Sequence, residues 1–164
     1  FERRGAMLDE VRRNIESAGP DLAPLARQLL DCAKEGKVKL YVVHQLLMLR
    51  QRHPRLFLDG AYEPLETLRL EAGRVVAFAR LEGAQALAVA TPVRVVRILD
   101  EMEKLPLGDI WGEAQLLFPH DIGQGTWRNI FTGERLKVPS REGPASLSLR
   151  ELFKTFPVAV LLRE

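Results

Sequence analysis

Acidic residues near predicted turns are the side chains of this sequence that could do chemistry, and that chemistry would be glycoside cleavage or transfer. The reaction needs two carboxylates that face each other across a sugar at roughly 5 to 9 Å. Five acidic residues lie near predicted turns: Asp59, Glu63, Asp109, Glu113 and Asp121. Acidic side chains are also common in turns and helix caps, and the chain has 22 of them. The sequence therefore nominates no catalytic pair, and we expect solvated turn and cap residues at all five positions.

Other kinds of reactive site find little support in the sequence. The histidines His44, His53 and His120 and the single Cys32 lack a recognised metal-ligand spacing, and we expect Cys32 to be a small buried apolar residue. There is no Gly-x-Ser-x-Gly motif for a nucleophilic serine. Residues 123–125 begin like a dinucleotide-binding loop, but the third glycine and the following helix are missing. The sequence predicts no catalytic residue, no metal site and no cofactor.

Four aromatic side chains could stack on sugar rings, because flat apolar ring faces attract aromatic faces. They are Tyr41, Tyr62, Trp111 and Trp127. Buried aromatic residues are the commoner case, and we expect Trp127 in particular to anchor the core of a β-sandwich. Either tryptophan at the surface would instead favour a carbohydrate-binding module.

The charge balance argues against nucleic acid and membrane partners. There are 24 basic and 22 acidic residues, so the net charge is only +2. Arg3, Arg4, Arg12 and Arg13 form a basic cluster, but acidic residues interleave with it and favour an acid-paired, solvated face. The longest apolar stretch, residues 38–49, is interrupted by polar residues and is shorter than the roughly 20 residues of a membrane span.

The first third of the chain has helical periodicity. Apolar spacing predicts a helix over residues 7–18, and a second helix that Asp21 caps and Gly36 ends. A third helix is predicted over residues 37–52, because basic residues and then Pro54 mark its C-terminus. Its apolar residues spread around most of the circumference, so we expect it to be covered on more than one side.

After Pro54 the alternation of apolar residues predicts antiparallel strands. We assign them to residues 63–70, 74–81, 85–90, 113–118, 127–131, 135–138 and 158–162. Residues 93–104 are ambiguous between strand and helix, and we assign a helix. Ser148 and Glu151 have the spacing of a capping box, which predicts a short helix over residues 149–154. The predicted fold class is α+β: N-terminal helices in residues 1–54, followed by an antiparallel β-sandwich domain in residues 55–164.

Three segments, residues 50–57, 127–134 and 156–162, carry a resemblance to a known family. In this order they resemble the C-terminal end of the maltooligosyltrehalose synthases, which are amylase-type glycoside hydrolases. Residues 36–41, 60–65, 75–80 and 111–112 extend the resemblance over nearly the whole chain, whereas residues 93–106 depart from the family pattern.

The resemblance implies that the helices close a catalytic (β/α)₈ barrel of the same polypeptide and that the sandwich is the amylase C-terminal domain. It further implies a parent isomerase that converts the reducing-end α-1,4 linkage of maltooligosaccharides to the α,α-1,1 linkage of trehalose. The family's catalytic carboxylates belong to motifs upstream of Phe1, so we expect this chain alone to be inactive. A first residue other than Met agrees with a fragment, in which part of the surface of the third helix is expected to be either exposed or closed by self-association.

Two alternatives stay open beside this interpretation. One is a stand-alone carbohydrate-binding module, which needs Trp111 or Trp127 at the surface. The other, less favoured, is a nucleic-acid-binding module whose affinity through the Arg3 to Arg13 face would fall steeply with salt. The single cysteine and the lack of a visible signal peptide favour a cytoplasmic location.

Overall fold

The computed structural model of the chain describes residues 2–94, 105–138 and 145–164. Its helices are α1 (Glu2–Ala18), α2 (Ala23–Asp31), α3 (Lys37–Arg52), α4 (Pro54–Leu58), α5 (His120–Gly123) and α6 (Leu149–Leu152). Its strands are β1 (Ala61–Pro64), β2 (Thr67–Leu68), β3 (Val75–Glu82), β4 (Gln85–Pro92), β5 (Gln115–Phe118), β6 (Gly125–Asn129), β7 (Arg135–Val138), β8 (Ala145–Ser148) and β9 (Ala159–Arg163). The predicted α+β class is confirmed.

Capping residues in the sequence mark several ends of the first three helices. The Asp21 carboxylate accepts a hydrogen bond from the Ala23 N–H at 3.1 Å, at the start of α2. Helix α2 ends at Asp31 and not at the predicted Gly36, because a 3₁₀ turn (Ala33–Glu35) follows it. Gly36, whose φ of 82° suits glycine, then lets the chain reverse into α3. Helix α3 has the predicted bounds, whereas α1 begins five residues before the predicted start.

Two antiparallel sheets form the rest of the fold. The large sheet has the order β1-β3-β4-β9-β6-β7, and the small sheet has the order β2-β5-β8. Strand β4 shows how the layers stack, since its alanines 86, 88 and 90 belong to the core shared with the small sheet. Leu87 and Val89, which alternate with them, belong to the core shared with the helices. The helices, the large sheet and the small sheet are therefore three successive layers.

The core between the sheets combines small and large side chains. The large sheet contributes alanines at positions 77, 79, 86, 88, 90 and 159, all buried. Against them lie larger buried residues, including Leu116 and Phe118 of β5 and Leu147 of β8. Trp127 of β6 is fully buried, with its ring centroid 5.2 Å from that of Phe118. Small residues facing large ones allow close packing without voids, and Trp127 is a core anchor as predicted.

Three features of the β region differ from the sequence prediction. The predicted strand over residues 63–70 is two strands in different sheets, because Pro64 cannot donate a ladder hydrogen bond and the chain crosses to the small sheet after it. Pro54 begins helix α4 as well as ending α3, since proline is favoured at the first helical position. Strand β8 was not predicted, because its sequence Ala-Ser-Leu-Ser lacks β-branched and aromatic residues.

Other local expectations have mixed outcomes. Helix α6 confirms the predicted short helix, but Ser148 makes no capping hydrogen bond with its side chain, so the capping box was wrong. Cys32 is exposed and not buried, because it lies in the turn between α2 and the 3₁₀ turn. The helix predicted over residues 93–104 falls, from residue 95 on, outside the described residues.

Candidate functional site

The acidic residues considered for catalysis lie at the surface. Asp59, Glu63, Asp109 and Glu113 are exposed. Glu113 pairs with Arg69 at 2.7 Å, and Asp109 pairs with Arg150. The side chain of the fifth residue, Asp121, is outside the described set. Among the side chains that the structure describes, no three His, Cys, Asp or Glu residues group as metal ligands.

Three of the four candidate sugar-stacking aromatics are buried and hydrogen-bonded. The Trp111 Nε1–H donates to the Pro106 carbonyl and the Trp127 Nε1–H donates to the Gly123 carbonyl, both at 2.9 Å. Tyr41, on helix α3, has no exposed surface. Tyr62 on β1 is the exposed member of the set.

Residues 129–134, which begin at the last residue of β6, form a tight turn held by its own hydrogen bonds, which we call the joint segment. The Asn129 side-chain oxygen accepts from the Phe131 N–H at 3.0 Å, and the Thr132 hydroxyl accepts from the Glu134 N–H at 3.3 Å. Both polar residues are almost fully buried. Gly133 has φ 76° and donates its N–H to the Asn129 carbonyl. These side-chain-to-backbone hydrogen bonds fix the backbone of the joint segment, most of which lies outside the strands.

The carbonyls of the joint segment hold the helical layer. The Gln45 side-chain amide of α3 donates to the Ile130 carbonyl at 3.0 Å, and the Tyr41 hydroxyl donates to the Phe131 carbonyl at 2.6 Å. The next carbonyl, that of Thr132, accepts from the Leu22 backbone N–H at 3.0 Å. Three consecutive carbonyls thus bind groups of the helical layer, and they satisfy polar atoms that burial would otherwise leave unpaired.

Aromatic packing reinforces this attachment. Phe131 of the joint segment lies 6.2 Å from Tyr41 and 5.3 Å from Phe156, measured between ring centroids. Tyr41 and Phe156 meet edge to face, the arrangement that ring quadrupoles favour. Burial raises the pKa of Tyr41 to about 12, so its hydroxyl stays protonated as a donor at neutral pH.

The opposite side of α3 carries apolar residues that we call the outer face: the exposed Val43 and Leu47 and the half-buried Leu40, with the half-buried Met7 of α1 beside them. Val43 is 44% exposed and Leu47 is 56% exposed. Met7, Leu40 and Val43 line an open pocket of about 460 Å³. Arg3, Arg4, Glu35 and Lys39 provide its charged lining, so three cations surround the apolar floor against one carboxylate. Helix α3 also packs against α1, α2 and α4, so among the described residues it is covered on more than one side, as predicted, and the outer face is the stripe that stays exposed.

The basic residues of α1 are partly paired with acids. Arg12 of α1 lies 3.8 Å from Asp9. The Lys37 ammonium, at the start of α3, lies 2.8 Å from Glu10 of α1 and 3.0 Å from Glu35. The hydrogen bond to Glu10, and then that to Glu35, raises the pKa of Lys37. This face therefore mixes both signs of charge.

The histidines lie apart from one another. His44 of α3 is half-buried, and burial, with Arg12 as the second cause, lowers its pKa. The Nδ1 atom of His53 lies 3.4 Å from the Gln85 side-chain oxygen. The side chain of His120 is not among those described.

Sequence reasoning did not identify the carbonyls of the joint segment or their partner Gln45. A signal for Gln45 was present, because it lies one helical turn after Tyr41 within the mostly apolar residues 40–49. A polar side chain in such a place needs a buried partner. No sequence signal specifies that the partner is a carbonyl some 85 residues away.

Among the described residues, no helix has the length and hydropathy that crossing a membrane requires. No family model matches the chain.

Two curated proteins of Mycobacterium tuberculosis are similar to it, one from strain CDC 1551 / Oshkosh and one from strain ATCC 25618 / H37Rv. Each is named "Putative maltooligosyl trehalose synthase" and is 31% identical over 126 residues. The match covers 77% of this chain but 14% of each relative. The chain is thus a distant relative of part of these proteins and spans about one seventh of their length.

Proposed function

We propose that this chain is the C-terminal region of a maltooligosyltrehalose synthase, an amylase-type isomerase. The similarity to the two mycobacterial proteins over 126 residues supports this proposal, as does the α+β fold with its antiparallel sandwich. In this proposal residues 1–54 belong to the end of a catalytic barrel, and residues 55–164 form the C-terminal domain. The substrate is a maltooligosaccharide, the setting is cytoplasmic, and the reaction needs no cofactor.

The exposed outer face of α3 is the observation that carries the proposal. Contiguous exposed apolar residues on one helix usually mark a contact surface. The occupant that we propose is the N-terminal part of the same polypeptide, which would cover Val43 and Leu47 with apolar side chains. The cations around the pocket, Arg3, Arg4 and Lys39, suit carboxylates on the covering surface. In an isolated chain this face is free to self-associate.

The catalytic work then belongs to residues outside this chain. A carboxylate nucleophile takes the glycosyl chain, an acid/base glutamate protonates the leaving glucose oxygen, and the glucose returns through its anomeric hydroxyl. The α-1,4 bond breaks and an α,α-1,1 bond forms, so the reaction is an isomerisation with no net loss of water. The described acidic residues near the turns, exposed or paired with arginine, agree with a supporting role for this region.

The test begins with the coding sequence upstream of Phe1. We expect several hundred further codons that include barrel-type aspartate and glutamate motifs. The whole protein should form trehalose ends on maltohexaose, and the 164-residue chain should not. A reading frame that begins near Phe1 would overturn the proposal.

A variant pair tests the docking face in the whole protein. Leu47→Asp should lower activity and the melting temperature, because it places a charge in an apolar contact. Leu68→Asp is the matched control, since Leu68 is 46% exposed on β2 of the small sheet. Equal effects of the two substitutions would contradict the assignment of this face.

A stand-alone carbohydrate-binding module would need Trp111 or Trp127 at the surface, but both are buried, so this alternative is not supported. The absence of nucleic-acid binding stays a prediction. Titration of the chain with single- and double-stranded DNA at low salt checks it.

A further inference from the structure

Tyr62 forms an exposed aromatic surface that the proposed function does not use. In the ladder between β1 and β3, Tyr62 is opposite Arg80 and Pro64 is opposite Phe78. Tyr62 and Phe78 are therefore diagonal neighbours on the same face of the large sheet. Their rings stack with centroids 5.1 Å apart and an angle of 26° between planes. Phe78 is half-buried, whereas Tyr62 is 58% exposed, so the pair presents a ring to solvent with a second ring beneath it.

The backbone around this pair is held firmly. The Arg80 guanidinium donates to the carbonyls of Leu56 and Phe57 at 2.9 and 3.1 Å, and to that of Gly60 at 2.9 Å. These bonds tie the end of α4 to the strand pair that carries both rings. A Cβ at Gly60 would lie 2.4 Å from the Leu56 carbonyl oxygen, so only glycine permits this approach. A ring held in place before binding loses little entropy when a ligand stacks on it.

The chemistry of the surface favours a sugar ring over an added protein strand. The edge strand β1 is short and ends in Pro64, which has no N–H to donate, and both features disfavour strand addition at this edge. A pyranose ring stacks on a flat apolar surface of about its own size that has a polar group at its margin, and the aromatic pair has such a surface. The Tyr62 hydroxyl is such a polar group at the margin of the exposed ring.

We propose that the Tyr62–Phe78 pair is a glucan-binding platform outside the catalytic barrel, on which a glucose unit of an α-1,4-linked chain stacks against Tyr62. The choice of an α-1,4-glucan rests on the proposed function, whereas the stacking geometry does not. A platform of this kind holds a long substrate near the enzyme. Because one ring stack contributes modestly, affinity in the millimolar range is expected for a single chain, and removal of the ring should weaken it about tenfold.

The experiment is a ¹⁵N-NMR titration of the 164-residue chain with maltohexaose, with cellohexaose as the linkage control. The wild type should show saturable shifts centred on residues 61–64 and 76–80. Tyr62→Phe should keep the affinity because it keeps the ring, and Tyr62→Ala should lose about tenfold. Leu58→Ala is the matched control, since Leu58 is also exposed close by in the chain but is aliphatic. Circular dichroism of each variant confirms the fold.

Three results would overturn the platform: no saturable binding of maltohexaose, equal binding by Tyr62→Ala, or an effect of Tyr62→Ala on self-association alone. These outcomes are separate from the test of the proposed function. If the whole protein forms trehalose ends but the isolated chain does not bind maltohexaose, the platform is wrong and the proposed function stands. If the reading frame begins near Phe1 but the chain binds maltohexaose through Tyr62, the proposed function is wrong and the platform stands.

Discussion

The two sides of helix α3 have similar residues and different surroundings. On the inner side Tyr41 and Leu49 are buried against the joint segment and the large sheet. On the outer side Val43 and Leu47 are about half exposed. Both sides are apolar enough for a core, so the difference comes from what lies opposite. The inner side meets a partner that the chain itself supplies, and the outer side does not within the described residues.

This difference separates two kinds of apolar surface. The inner side adds polar bonds to packing, because Tyr41 and Gln45 donate to consecutive carbonyls and so define one register of the helix on the sheet. The described outer side offers apolar area without such directional partners. Hydrogen bonds fix one position of the helix against its partner, whereas apolar contact alone is compatible with several positions. We therefore expect substitutions on the inner side to affect folding and those on the outer side to affect association.

The largest effect is expected where the joint segment touches the helices. A Cβ at Gly133 would lie 2.0 Å from the Pro20 carbonyl oxygen, which is backbone and cannot move away cheaply. Gly133→Ala should lower the free energy of unfolding by about 4 kcal/mol, from left-handed strain of about 1 to 2 and overpacking of about 1 to 3 kcal/mol. Urea denaturation measures this.

Gly83→Ala is the matched control for that prediction. Gly83 also has positive φ, at 55°, but among the described residues no atom other than those of Gly83 and its two chain neighbours lies within 4 Å of the place that a Cβ would occupy. Its loss should be confined to the conformational strain of about 1 kcal/mol. Equal losses at the two glycines would mean that the contact between Pro20 and the joint segment contributes nothing.

Truncation of Leu49 tests the inner side directly. Leu49 is 6% exposed and belongs to the core between the helices and the large sheet. Leu49→Ala removes buried methyl groups and leaves a cavity, so we expect a loss of about 2 to 3 kcal/mol in the free energy of unfolding. Thermal and urea unfolding should agree on the size of the loss. A loss below about 0.5 kcal/mol would show that the helical layer is not part of the cooperative unit.

Tyr41→Phe removes one hydrogen bond from the inner side and keeps the ring. The Phe131 carbonyl would lose its donor, so a loss of about 1 kcal/mol is expected. The pH dependence of the free energy of unfolding gives a second test of the buried hydroxyl. Because the folded pKa of Tyr41 is raised to about 12 from 10.0, its contribution is complete below pH 10 and is lost as pH rises toward 12.

The variant should therefore show a smaller decline of stability between pH 10 and 12 than the wild type. Chemical unfolding at a series of pH values measures both effects. Parallel curves for the two proteins would contradict a buried, hydrogen-bonded hydroxyl at this position.

The sequence predicted what local signals specify. Helix α3 has the predicted bounds because Gly36 precedes it and Pro54 follows its end. Strand β7 has the predicted bounds because the turn at residues 132–134 precedes it. The crossing between sheets after Pro64 and the three carbonyls of the joint segment depend on contacts between distant residues, which periodicity does not encode. Tyr62 shows the same limit in part. Its place beside a predicted turn sets it apart from Tyr41 in an apolar helix, but the sequence does not encode its stacking on Phe78 of another strand.

The smallest expected effect on folding is at Leu47, two residues from Leu49 on the same helix. Leu47→Ala removes the same atoms as Leu49→Ala, but from a side chain that is 56% exposed, so the free energy of unfolding should change by about 0.5 kcal/mol or less. Any self-association of the isolated chain should weaken, which sedimentation velocity measures over a concentration series. In a longer polypeptide that covers the outer face, the same substitution should cost about as much as Leu49→Ala, because Leu47 would then be a core residue. A large loss in the isolated chain would mean that the outer face is already covered there, and the contrast between the two sides of α3 would disappear.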